Sequence, residues 1–352
     1  MSSLVLQSSS AHTPVHVAFS PDDDSIAALM PDGHVDIWTW TFNRGNKSAV
    51  RHLGRISPAC DSSDSIFRQV LLDGRSEDGT LRLSILAWSV SRAADLVIMS
   101  HIKIGEKGLS TSKVTRRTVS AGAIRIFSYN LTTFIETRSG QVVADADVSV
   151  ATFPEPCSYV RPVSSTVFLG LSGTGRLYSN EHLISSGCTS FSIGGEFLIF
   201  TTLQHEARFV LLRSLLERPG DLALASDAHT HSLQQGEPAG EIADTKKTDS
   251  IERRVERGSR IVTVVPSSMT VVLQMPRGNL ETISPRPLVL QQVRKHLTEQ
   301  HYRDAFMVCR RHRIDLNFLY DHDPASFNRD LGLFADQIAD NEHFGVFVSG
   351  LK

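Results

Sequence analysis

The chain has 352 residues, of which 41% are hydrophobic and 21% are charged. This composition predicts a soluble folded protein with enough apolar material for two or three domain cores. The formal net charge of −2 argues against bulk attraction to nucleic acid or to an anionic membrane, and no apolar run is long enough to cross a bilayer.

A short glycine-led repeat runs through the first 283 residues. Its five copies share a glycine, a variable residue, an apolar residue in four of five cases, and a charged residue. They read GHVDIW from Gly33, GTLRLS from Gly79, GAIRIF from Gly122, GTGRLY from Gly173 and GNLETI from Gly278. Glycine permits the positive φ of a tight turn, and the alternation that follows is typical of a strand. We therefore interpret each copy as a β-hairpin.

The spacing of the copies favours a β-propeller. Successive glycines lie 46, 43, 51 and 105 residues apart, and the first three intervals match the length of a four-stranded blade. The sequence thus predicts a partial WD40-like propeller over residues 1–284, although the WD dipeptide is absent. A β-sandwich or a stack of hairpins would also fit short alternating strands.

The long fourth interval contains a segment of different composition. Residues 217–260 lack aromatic side chains and mix charges of both signs with Gly, Pro, Ser and Thr. Such a segment buries too little apolar surface to offset its ordering entropy. We predict a disordered insertion between strands of the last blade, either a tolerated surface loop or a regulated docking site.

Helical periodicity replaces strand periodicity after residue 284. Ser284 and Pro285 predict a helix start, and apolar residues then recur three and four positions apart. They are Val289, Val293 and Leu297 in one stripe and Tyr302, Ala305, Phe306 and Cys309 in the next. Asp323 and Pro324 predict another start. Residues 285–352 are therefore expected to begin a TPR-like α-solenoid.

Basic residues crowd these two helices. The candidate contact residues are Arg294, Lys295, Arg303, Arg310, Arg311 and Arg313. They could contact RNA phosphates or an acidic partner surface, or they could simply be a solvated helical face with favourable charges at a helix C-terminus. Tyr302 and Phe306 fall in the apolar stripe, so we expect them in the core rather than as base-stacking platforms.

The sequence offers little catalytic chemistry. Cys60, Cys157, Cys188 and Cys309 contain no C-x-x-C pair, which excludes the usual zinc and disulfide frameworks and suggests a reducing compartment. No H-E-x-x-H helix, phosphate-binding loop or nucleophile elbow is present. We predict no catalytic residue, no metal and no cofactor.

The segments MPRGNLETISPR and YRDAFMVCRRHRIDLNFLYDHDP closely resemble the largest subunit of the Elongator complex, the IKAP family. In that family a second β-propeller passes into an α-solenoid. The resemblance implies a non-catalytic scaffold for a complex that modifies wobble uridines in tRNA, in the cytoplasm and possibly also the nucleus. It implies as partners the other Elongator subunits, including the catalytic one, and tRNA through the complex.

The chain departs from that family in extent. A preceding propeller, most of the solenoid, the dimerisation region and a basic tail are expected from the resemblance but have no counterpart here. We therefore expect a fragment of the second propeller with the start of the solenoid. The alternative is a propeller-plus-solenoid scaffold of another assembly, such as a coat or trafficking complex.

Overall fold

The computed structural model describes ten stretches of the chain. They are residues 13–20, 24–43, 46–57, 63–75, 79–105, 108–119, 122–144, 148–217, 250–338 and 340–350. The chain divides into two compact units, the first formed by residues 1–173 and 178–181 and the second by 174–177 and 182–352.

The first unit contains three four-stranded antiparallel sheets, in which strands adjacent in sequence are hydrogen-bonded neighbours. The first sheet comprises β1 (His16–Phe19), β2 (Ser25–Leu29), β3 (Val35–Asn43) and β4 (Asn46–Ile56). The second comprises β5 (Ser65–Arg75), β6 (Leu81–Ser89), β7 (Ala94–Gly105) and β8 (Gly108–Val119). The third comprises β9 (Ala123–Tyr129), β10 (Thr132–Thr137), β11 (Gln141–Val143) and β12 (Ser149–Thr152). This consecutive order is that of a propeller blade.

The division between the units falls within a fourth group of strands. This fourth group comprises β13 (Cys157–Pro162), β14 (Phe168–Ser172), β15 (Leu177–Ser179) and β16 (His182–Ser185). A fifth sheet in the second unit comprises β17 (Cys188–Gly194), β18 (Phe197–Thr202), β19 (Glu206–Leu211) and β20 (Ser250–Arg254), with a short helix α1 (Leu212–Glu217) after β19. The sixth comprises β21 (Arg260–Val265), β22 (Thr270–Gln274) and β23 (Leu280–Ile283).

The alternation of side chains along β6 shows how the sheets bury both faces. Leu81, Leu83 and Ile85 point into a core shared by the first and second sheets. Leu86, one position out of phase, joins the core that the second sheet shares with Ile126 and Ile135 of the third. Because successive side chains point to opposite faces of a strand, a strand between two neighbouring sheets carries apolar residues on both of its faces.

The glycine repeat marks tight connections, but not equivalent ones. Gly33 and Gly278, with φ of 84° and 87°, each join the second and third strands of a sheet. Gly79 (φ 77°) instead lies between the first two strands of the second sheet. Gly122 directly precedes the first strand of the third sheet, so the hairpin interpretation is wrong there. In the fourth copy the positive φ belongs to Gly175 (83°) rather than to Gly173.

The fifth sheet contains no copy of the repeat, and the sequence analysis did not identify it. Its tight connections use Gly195 (φ 57°) and the non-glycine residue His205 (φ 66°). Six groups of strands are therefore present among the described residues, where the repeat indicated five. A left-handed residue that is not glycine leaves no glycine signal in the sequence.

Three of the repeated charges form cross-strand ion pairs. Asp36, which is fully buried, accepts two hydrogen bonds from the opposing Arg55, at 2.9 and 2.8 Å. Arg125 lies 3.7 Å from the buried Glu136, its register partner on β10. Arg82 lies 3.6 Å from buried Asp73. In these three copies the repeated charge thus has a partner on an adjacent strand, which removes the cost of burying a charge alone.

The sequence predicts a disordered insertion at 217–260, but the last part of this segment is ordered in the structure. Ser250–Arg254 form β20 and pair with β19, with Arg208 opposite Glu252. Arg260 already begins β21. Residues 218–249 lie outside the described residues. The aligned pairing of β20 supplies the backbone hydrogen bonds that a polar sequence needs in order to form a strand.

Six helices follow the strands in the described part of the second unit: α2 (Arg286–Thr298), α3 (Tyr302–His312), α4 (Asn317–Asp321), α5 (Pro324–Arg329), α6 (Leu331–Ile338) and α7 (Asn341–Gly350). Pro285, rather than Ser284, is the N-cap of α2. The predicted Asp323 cap of α5 is confirmed, because its side chain accepts a hydrogen bond from the Ser326 N–H. None of the helices in the described part of the chain combines the length and apolar character that a membrane crossing needs.

The helices share one apolar core. Val289, Val293 and Leu297 of α2 pack with Tyr302 and Phe306 of α3. The later helices contribute mainly aromatic rings: Phe327, Phe334 and Phe347. The last two have ring centroids 4.7 Å apart, within the range of favourable aromatic contacts.

Replacement of Gly33 by alanine should destabilise the first unit more than the same change at Gly79. Both have left-handed φ, which costs alanine about 1–2 kcal/mol. A Cβ at Gly33 would also overlap the ring of Phe67, a residue of the shared core, whereas nothing lies within 4 Å of a Cβ at Gly79. Overpacking should add about 1–3 kcal/mol to the loss for Gly33→Ala. Urea unfolding followed by circular dichroism would measure this, and equal losses would contradict the overlap.

Glu136 should make stability fall as pH rises. Burial raises the pKa of its carboxyl above the usual value, although Arg125 and the Cys157 N–H act in the opposite direction. The native state therefore retains a proton that the unfolded chain loses near pH 4.3. The stabilisation that comes from this retained proton is complete below that pH and is lost as the pH rises through the raised pKa of the folded state. The unfolding free energy of wild type minus that of Glu136→Gln should decrease across this window, by about 1.4 kcal/mol per pH unit. A difference that does not vary with pH would refute this prediction.

Candidate partner-binding surface

The basic residues identified from the sequence lie on a helical hairpin formed by α2 and α3. The buried faces of the two helices meet through Val289, Val293, Tyr302 and Phe306. The charged residues of both helices consequently lie on the exposed faces. Tyr302 and Phe306 are 3% and 1% exposed, so they are core residues and are not available to stack on bases.

Three of the candidates lie near the turn of the hairpin. The Arg294 guanidinium lies 5.6 Å from the ring centroid of Phe318 in α4, a cation–π distance. Lys295 Nζ is 3.9 Å from Glu299. Arg303 is exposed, and its backbone N–H donates a hydrogen bond to Gln337.

The other three lie at the far end of α3. Arg310 and Arg311 are exposed and line a shallow groove between α2 and α3, together with Gln292, His296, Asp304, Met307 and Val308. Arg313 ends the helix in the left-handed region, with φ of 53°. Arg310 is seven residues from Arg303, about 10 Å along the helix axis. The structure therefore separates the six candidates into two groups.

A polar cluster around Asp330 was not identified from the sequence. Its Oδ2 accepts hydrogen bonds of 3.0 Å from both Tyr302 and Gln300, and its Oδ1 lies 3.3 Å from Arg329 Nε. The Arg329 hydrogen bond is the main factor that lowers the pKa of Asp330, and the Tyr302 and Gln300 bonds act in the same direction. The cluster ties the α2–α3 turn to the junction of α5 and α6.

A second group that the sequence analysis missed is His296, Glu299 and His301. One potential ligand atom from each lies within 4.8 Å of the others. The pattern H-x-x-E-x-H was visible in the sequence, but it matches no helical metal motif. Its residues come together only because the helix ends between them.

The thiols of the described residues are unsuited to nucleophilic chemistry. Cys157, Cys188 and Cys309 are buried, and burial raises the pKa of each to about 12. At neutral pH they remain protonated, and a thiol is a far weaker nucleophile than a thiolate. These residues contribute to packing.

Asp330→Asn should destabilise the chain at neutral pH, and the loss should shrink in acid. The lowered pKa of Asp330 means that its stabilising effect is present above pH ~3.9, the value for an unfolded aspartate. That effect is lost as pH falls through the folded value. Urea unfolding at several pH values would test this, with exposed Asp336→Asn as a control for loss of one charge. If Asp330→Asn lost the same unfolding free energy at every pH, the ionised carboxylate would be excluded as the cause of the loss.

Two family models match the chain in tandem. The model described as "ELP1 N-terminal second beta-propeller" matches residues 1–262. The model described as "ELP1 alpha-solenoid" matches residues 286–352. The meander sheets and the helices that follow them therefore belong to a β-propeller and an α-solenoid.

Curated relatives agree with this assignment. Elongator complex protein 1 of Schizosaccharomyces pombe is 40% identical over 228 residues, which cover 62% of this chain and 17% of that protein. The protein of the same name from Saccharomyces cerevisiae is 39% identical over 189 residues, covering 54% of this chain and 12% of that protein. This chain thus spans less than a fifth of the length of these two relatives. On the two tandem family matches, the chain belongs to the Elongator complex protein 1 family.

Proposed function

We propose that the chain is a non-catalytic scaffold segment of the Elongator complex that supports the modification of wobble uridines in tRNA. The observation that carries the proposal is the order of the two family matches, with a second propeller at 1–262 and a solenoid at 286–352. The same order favours this assembly over a coat or trafficking complex. The expected location is the cytoplasm, possibly also the nucleus.

The surroundings of the cysteines and buried charges among the described residues support a scaffold role. The cysteines among them are buried and protonated at neutral pH. Buried charges such as Asp36 and Glu136 have arginine neighbours on the adjacent strand. These groups serve packing and strand pairing, so we assign the uridine chemistry to another subunit.

The groove between α2 and α3 is the surface that we assign to a partner subunit. Arg310 and Arg311 supply positive charge, and Met307 is 45% exposed beside them. A mixture of apolar and basic side chains suits an acidic protein surface better than a phosphate backbone, which needs chiefly charge. Transfer RNA would then be bound by the assembled complex.

Affinity purification of the tagged chain from its native cells tests the proposal. We expect the catalytic Elongator subunit to co-purify with the chain. The purified chain alone should leave wobble uridines in tRNA unmodified. Recovery of coat or trafficking proteins without Elongator subunits would overturn the proposal, and so would uridine modification by the isolated chain.

The groove is tested separately by charge reversal. Arg310→Glu with Arg311→Glu should reduce co-purification of the bound subunit by about tenfold or more, since rim charges steer association and disfavour wrong pairings. Exposed Arg257→Glu on the same unit is the control and should retain the subunit. If both variants retain it equally, the groove is not the binding surface.

A further inference from the structure

The end of α2 has a geometry that brings two histidines together. The His301 N–H donates to the His296 carbonyl at 2.8 Å, and the Gln300 N–H donates to the Leu297 carbonyl at 3.1 Å. Gln300 is left-handed, with φ of 58°. These are the two hydrogen bonds of a Schellman motif, in which the side chains corresponding to His296 and His301 commonly make an apolar contact.

The end of α3 shows what this motif normally contains. There the Ile314 N–H donates to the Cys309 carbonyl at 2.9 Å. The two side chains that the motif brings together, Cys309 and Ile314, are 0% and 7% exposed and belong to the helical core. At the end of α2 the same two positions carry imidazoles: His301 is exposed and His296 is half-buried, and neither belongs to the helical core.

The three side chains at the α2 turn have unused ligand capacity. Nδ1 of His296 is buried and has no hydrogen-bond partner within the described structure. Nδ1 of His301 lies 3.5 Å from Oε2 of Glu299. Zinc bound at its usual N and O distances holds tetrahedral ligands roughly 3.4 Å apart, so this pair already has the separation of two ligands of one ion.

We propose that His296, Glu299 and His301 bind a divalent transition-metal ion, with zinc as the representative of the class. Imidazole nitrogens suit zinc and its neighbours in the first transition row, whereas Mg²⁺ and Ca²⁺ prefer oxygen ligands. Three protein ligands leave the fourth position of a tetrahedral site to water or to a partner side chain. The potential ligand atoms lie within 4.8 Å of one another, so rotation of the exposed His301 and Glu299 side chains can complete the site.

Lys295 is the group that competes with the ion. Its Nζ lies 3.9 Å from Oε1 of Glu299, whereas Oε2 faces His301. The carboxylate can therefore retain Lys295 on one oxygen and bind the ion through the other. Since His301 immediately precedes α3, the ion would fasten the last turn of α2 to the start of α3, beside the groove that His296 also lines.

Zinc titration of the chelator-treated 352-residue chain by isothermal titration calorimetry tests the site. We expect His301→Asn and Glu299→Gln each to weaken zinc binding by at least about tenfold, and zinc to raise the melting temperature of wild type but not of His301→Asn. Asparagine is a good helix N-cap, so His301→Asn should fold, which circular dichroism would verify. His322→Asn, an exposed histidine at the end of α4, is the matched control and should bind zinc as wild type does.

Other histidines are common to all these variants, so the differences isolate the site. Equal zinc affinity in wild type, His301→Asn and Glu299→Gln would overturn the proposal. A zinc-dependent rise in melting temperature that persists in His301→Asn would overturn it as well.

Discussion

The double burial of α2 is the constraint on which the second unit depends. Leu288 packs into the core of the fifth and sixth sheets, while Val289 and Val293, on an adjoining face of the helix, pack into the helical core. Gln292 also donates a hydrogen bond to the Ser267 carbonyl between β21 and β22. One helix therefore belongs to two cores of the second unit, so moving α2 away from the two sheets would expose apolar surface. The short passage from Ile283 to Arg286 suffices because this packing, rather than the linker, sets the geometry.

Buried ion pairs fix the register of the strands in the first unit. Shifting a strand by one residue would move Asp36 or Glu136 away from its arginine and leave a buried charge unpaired, which costs several kcal/mol. A hydrophobic pair of similar volume would be as stable, but it would tolerate sliding more easily. The charge at this place in three copies of the glycine repeat thus has a physical reason: the ion pair favours one strand register in sheets that are otherwise rich in apolar residues.

Local patterns in the sequence predicted the class of each region and the periodicity of its elements. The helical stripes of α2 and α3 and the Asp323 cap depend on residues close in sequence, and the structure contains them. The prediction that every repeated glycine marks the same hairpin turn was wrong, because a glycine with positive φ can occupy any tight connection, whichever strands it joins. The fifth sheet was missed because His205 takes a left-handed conformation without being glycine. Neither the surroundings of Arg294 nor the cluster around Asp330 could be predicted from the sequence, because the contacts of Arg294 with Phe318 and of Asp330 with Tyr302 join residues far apart in the chain.

Among the described residues, the buried thiols and Glu136 are engaged in packing and in ion pairing. A catalytic carboxylate or thiol needs both a suitable pKa and access to substrate. Glu136 is fully buried beside Arg125, and the described thiols are buried with strongly raised pKa values. On the α2–α3 hairpin, Arg310, Arg311 and His296 line a groove. Leu288 of α2 packs against the fifth and sixth sheets, so a partner that bound the proposed groove would meet a helix already anchored in the second unit, which limits the conformational entropy lost on binding.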